Sequence, residues 1–144
     1  RGPLRRALRA NVEQMLDPPG PILGLPALRQ MAADLPSWGG LDDAPWCARF
    51  GYQVIERRGT GGGAFRHPMY SQFLHQAEAW LPELASMDAA GRMAVIGQRW
   101  TDLALILKAI SEADTDDGFG QAGAIATEIA EAEASFWHDL AVLI

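Results

Sequence analysis

The chain has 144 residues, of which 49% are hydrophobic and five are tryptophan, and its net charge is −6. That length suits one domain able to bury about two-thirds of its unfolded surface, and the apolar content excludes a disordered chain. The acidic balance argues against general affinity for nucleic acid or an anionic membrane, and no apolar run approaches the roughly 20 residues that span a bilayer.

In chain order, Leu4 to Leu16 reads as a short basic amphipathic helix, carrying Arg5, Arg6 and Arg9 and stopped by Pro18 and Pro19. The chain opens at Arg1 in the pattern of a helix already under way, which suggests a piece of a longer protein. Asp17 to Pro26 is a connector rich in proline and glycine, and Pro26 fits the first turn of a helix with Leu28, Met31, Ala32 and Leu35 on one face. Ser37 to Gly40 reads as loop. Asp42 or Asp43 can cap the next helix, with Pro45 in its first turn and Trp46, Phe50, Val54 and Ile55 as the candidates to face inward. The lone Cys47 on that helix excludes an internal disulfide and suits a reducing compartment, the cytoplasm.

Gly59-Thr60-Gly61-Gly62-Gly63 then separates this helix from one that places Phe65, Met69, Phe73, Ala77 and Trp80 on one face and ends at Pro82. The clearest periodicity follows: Met93, Ile96, Trp100, Leu103, Leu107 and Ile110 alternate spacings of three and four, predicting a long helix over 88–113. After an acidic loop, a last helix carries Ala122, Ile125, Ile129, Ala132, Phe136, Leu140 and Leu143, with small residues that permit close approach to a neighbour. With no strand pattern, the expected fold is all-α: a compact bundle of five to six helices, two of them long, antiparallel and C-terminal, forming a single domain over 1–144.

The segment Leu23-Gly24-Leu25-Pro26-Ala27-Leu28, the run Ile55-Glu56-Arg57-Arg58-Gly59-Thr60-Gly61-Gly62-Gly63, and Phe65-Arg66 with Met69-Tyr70 and Phe73-Leu74 resemble the domain of unknown function that follows the N-terminal domain of butirosin biosynthesis protein H. The resemblance implies an acyltransferase in the two-domain parent. That enzyme moves an aminoacyl group from the phosphopantetheine thiol of an acyl carrier protein to an amine of an aminoglycoside. It also implies that the nucleophilic cysteine belongs to the N-terminal, cysteine-peptidase-like domain, which is absent from these residues. The partners implied are that domain and the acyl carrier protein, whose phosphopantetheine is the one cofactor in view.

Each candidate site has an ordinary alternative. The amides of Gly61, Gly62 and Gly63 could cradle a phosphate or carboxylate with help from Arg66 and from Arg57 or Arg58. The more ordinary reading, and the favoured one, is a tight turn that lets two helices cross closely, with Arg66 paired to a nearby carboxylate. Cys47 could pair with His67 or His75 as nucleophile and base, although a single cysteine beside Trp46 more often packs as a small hydrophobe. His75 with Glu78, and Glu128 with Glu131, have helical spacing, but the Glu-x-x-His order of dinuclear metal bundles is reversed. Trp38, Trp46, Tyr52 and Tyr70 are candidates for the wall of a small-molecule pocket, whereas Trp80, Trp100 and Phe136 fall on core stripes.

The reading is an accessory, substrate-positioning domain with no catalytic or metal-binding residue of its own. It assigns Gly61, Gly62, Gly63 and Arg66 to an anion and Tyr70 and Trp38 to a pocket wall. The competing readings are a stand-alone binding or dimerisation module, paired as a homodimer through the alanine-rich last helix, and a small enzyme using Cys47 or a metal.

Overall fold

The computed structural model describes residues 2–58, 63, 69–113 and 117–144. Its frame is the pair of long helices that the periodicity demands, Ala89–Ala113 (α6) and Phe119–Leu143 (α7). They run antiparallel: Arg92 pairs with Asp139 at 2.8 Å and Arg99 with Glu128 at 3.7 Å, so the start of one helix meets the end of the other. The other α-helices among the described residues are Gly2–Leu16 (α1), Gly24–Asp34 (α2), Ala44–Tyr52 (α3), Ser71–Ala77 (α4) and Glu83–Ser86 (α5). No strand occurs among the described residues, so the all-α expectation holds. None of the described helices is long and apolar enough to cross a membrane.

The helical pair carries two apolar clusters, one toward each end. In the first, Leu25, Leu28 and Ala32 of α2 and Ala44 and Ala48 of α3 close over Leu103, Leu107, Ala122, Ala126 and Ile129. Ala122, Ala126 and Ala130 of α7 are buried here, where their small size lets α2 and α6 approach. In the second cluster, Leu8 and Val12 of α1 join Leu74, Leu81 and Leu84 around Met93, Ile96, Phe136 and Leu140. The basic residues of α1 hold the far end of α7: Arg9 donates to the Ile144 carbonyl and Arg5 to that of Leu143, where a helix terminus favours positive charge. Arg5 also pairs with Glu83.

Where the clusters meet lies Glu133, fully buried. Its two carboxylate oxygens accept hydrogen bonds from the indole nitrogens of Trp100, at 3.1 Å, and Trp137, at 2.6 Å. One carboxylate thus ties α6 to α7, and Trp100 packs against both clusters.

Several local expectations are corrected. Trp46 and Phe50 do not face inward; they are 74% and 56% exposed. The buried stripe of α3 is Ala44 and Ala48, with Ile55 in the next turn, because α3 lies so close to α6 that only small side chains fit between them. Similarly, Leu74 and Ala77 of α4 are buried, while Met69 and Phe73 face out. Trp80, expected in the core, is 64% exposed: α4 ends at Ala77, the Leu81 amide folds back to the Ala77 carbonyl at 2.9 Å, and Leu81 takes the inward place. Ser37 to Gly40 is not loop but part of a 3-10 turn, Leu35–Gly40, which Pro36 initiates.

Gly24 requires glycine. Its φ is +59°, and a Cβ there would lie 2.6 Å from the Gln14 carbonyl oxygen and 2.7 Å from that of Met15.

Replacing Glu133 with alanine removes both indole acceptors from the seam and leaves a void. A loss on the order of 3 kcal/mol is expected in urea denaturation monitored by circular dichroism. Gly24→Ala, which changes no polar group, is expected to cost about 1–3 kcal/mol in the same assay.

Candidate functional site

An apolar cavity of about 410 Å³ lies between α2, α3 and α6, within the size range of small-molecule sites. Ala27, Leu28 and Met31 form one wall, Leu103, Leu107 and Trp100 the opposite one, and Trp38, Phe50 and Val54 its remaining sides. None of the described residues lining it is charged. Its shape follows from local structure. After Tyr52 the chain widens into a π-helical turn, Gln53–Arg57, whose i to i+5 bond joins the Arg58 amide to the Gln53 carbonyl at 2.9 Å. Through this turn both Val54 and Ile55 reach the cavity wall, and Ile55 is also buried in the first cluster. Gly51 also lines the cavity and brings the α3 backbone close to Leu107.

Trp38 lies in this wall. The 3-10 turn carries its ring to Phe119 of α7, with centroids 6.2 Å apart. Sequence reasoning gave no reason to expect its partner. Tyr70 lies elsewhere: its hydroxyl accepts a hydrogen bond from Asn11 Nδ2 at 2.8 Å, and its ring packs on Phe73 and Trp137 beside the second cluster. Trp38 and Tyr70 therefore do not share one pocket. Gly61, Gly62 and Arg66 fall outside the described residues. Gly63 is buried against α6: a Cβ there would strike the Glu56 carboxylate and stand 2.5 Å from the Thr101 hydroxyl and 3.0 Å from the Gly97 carbonyl. Glu56 in turn accepts a hydrogen bond from Thr101 at 3.0 Å. At this position the glycine serves close packing. Sequence reasoning assigned none of Ala27, Gly51 and Val54 to a pocket, and only their placement in the fold joins them there.

The reactive candidates are otherwise engaged. Cys47 is half-buried on α3 and directs its thiol to the Asp43 carboxylate at 3.7 Å, although Asp43 was expected to cap the helix backbone. Burial, and then the charge and hydrogen bond of Asp43, raise the Cys47 pKa above the ordinary thiol value, the reverse of what a nucleophile needs. His67 lies outside the described residues; His75 pairs with Glu78 at 3.3 Å, and His138 is held to the Ala134 carbonyl at 2.7 Å. Among the described residues, no group of three His, Cys, Asp or Glu side chains is placed to hold a metal ion.

Because its pKa is raised, Cys47 is protonated at neutral pH, and its thiolate fraction increases only as the pH climbs past the usual thiol range. Iodoacetamide is expected to alkylate it more slowly in folded than in urea-unfolded chain at pH 8, and Asp43→Asn is expected to speed the folded reaction. Mass spectrometry of quenched time points reads both rates.

Compared with known families, residues 1–140 match the model of DUF4872, a domain of unknown function. No curated protein matches the chain, and no solved structure does. With nearly the whole length covered, this chain belongs to the DUF4872 family of domains of unknown function.

Proposed function

We propose that this chain is a substrate-positioning domain whose cavity holds the apolar part of an acyl group, presented as a thioester to a nucleophile on another domain. The observation that carries this reading is the cavity itself: about 410 Å³, free of charged side chains among its described lining, and walled by rings and aliphatic chains fixed on helices. Such a site contributes binding and orientation, which lower a barrier only when a reactive group is supplied beside it. Cys47 supports the division of labour, since its thiol is held in the unreactive protonated form. The resemblance of the glycine-arginine segment to the butirosin-H-like proteins supports the acyl-thioester class of ligand and an acyl carrier protein as its donor.

The test uses the S-octanoyl thioester of N-acetylcysteamine as probe. Calorimetry is expected to show saturable binding, weakened about tenfold or more in Ala27→Leu and in Val54→Trp, each of which fills the cavity with apolar bulk. The chain alone is expected to leave the thioester intact. Absence of binding would defeat the positioning role, and turnover by the isolated chain would defeat the assignment of chemistry to another domain.

A further inference from the structure

Beside the cavity, on the opposite flank of the same stretch of backbone, a second depression of about 390 Å³ gathers Arg49, Arg57, Arg58 and Lys108 around Tyr52, facing one carboxylate, Glu112. This positive concentration occurs on a chain of net charge −6. Among the described residues that line it, a single carboxylate faces the four cations. Arg49 and Lys108 both reach the same oxygen of Glu112, each at 3.7 Å, which leaves most of their N–H donors unused. Among the described residues Arg57 makes no ion pair, and Arg58 meets the Gln53 side-chain amide at 3.4 Å and the face of Phe50. Arg49 and Lys108 lie over the Tyr52 ring, at 5.5 and 5.8 Å from its centroid, so an aromatic platform holds two of the cations in place.

Phe50 links the two depressions. It lines the apolar cavity and carries the Arg58 guanidinium 5.4 Å from its ring centroid. From this arrangement we propose that the cationic depression is a phosphate-binding site and that, with the cavity, it forms one bipartite site for an amphipathic ligand: a phosphate group joined to an aliphatic chain. Guanidinium pairs suit phosphate because their forked donors match its oxygens. The phosphate half stands on its own geometry; the aliphatic half rests on the reading of the cavity given above.

Calorimetry with three probes separates the halves. Octyl phosphate is expected to bind about tenfold more tightly than octanol, an advantage that shrinks as salt screens the charges. In Arg57→Gln/Lys108→Gln the ratio of the two affinities is expected to fall close to one, whereas Arg57→Lys retains most of it. Inorganic phosphate, lacking a chain, is expected to bind weakly to the unaltered protein and not to the double variant. If octyl phosphate binds no better than octanol, or keeps its advantage in the double variant, the phosphate site is overturned. If octanol alone fails to bind while phosphate binding still depends on Arg57 and Lys108, the cavity reading falls and the cationic site stands. S-octanoyl phosphopantetheine identifies the source: tighter binding than octyl phosphate supports a carrier-borne arm, weaker binding a free alkyl phosphate.

Discussion

The carboxylate of Glu133 is the constraint on which this fold turns. A charged group with no solvent exposure is stable only where its oxygens are satisfied, and Trp100 and Trp137 each supply an indole N–H. The Trp100 bond crosses from α6 to α7 and orients the indole, while the Trp137 bond, four residues along α7, holds the carboxylate in place. Trp100 in turn forms part of the wall of the apolar cavity. The buried polar contact at the seam thus reaches the wall of that cavity through Trp100.

The second determinant is the change of helical pitch after Tyr52. A regular α-helix would carry one stripe across residues 44 to 58, whereas the π-helical turn from Gln53 to Arg57 shifts the register. The backbone there presents apolar groups, Phe50, Gly51 and Val54, to the cavity and basic groups, Arg49, Arg57 and Arg58, to the neighbouring depression. Exposed Phe50 is the shared partition, and its ring is covered on one side by the Arg58 guanidinium. Apolar and cationic surfaces thus abut without a mismatch, since a guanidinium face is weakly hydrated and tolerates an aromatic neighbour.

Long-range order was legible in the sequence to the extent that periodicity was strong. The alternation of Met93, Ile96, Leu103, Leu107 and Ile110 can be satisfied by one helix face only, and all five are buried. For α3 two stripes compete, an aromatic one through Trp46 and Phe50 and a small one through Ala44 and Ala48. Hydrophobicity favours the first, yet closeness to α6 selects the second, and no local property of the sequence reports that closeness. Trp80 misled for a related reason: its spacing extends a helix that ends at Ala77.

The sequence by itself determined the helical class, the long antiparallel pair and much of what those helices bury, because these follow from repeated local spacing and the cost of leaving apolar faces in water. Only the tertiary structure decided that Glu133 would be buried between two indoles, that Trp38 and Tyr70 would stand apart, and that Ala27, Val54 and Trp100 would enclose one cavity. Each of these depends on how far apart two helices lie and how they are rotated. That is fixed by the packing of residues distant along the chain, which spacing along a single helix does not encode.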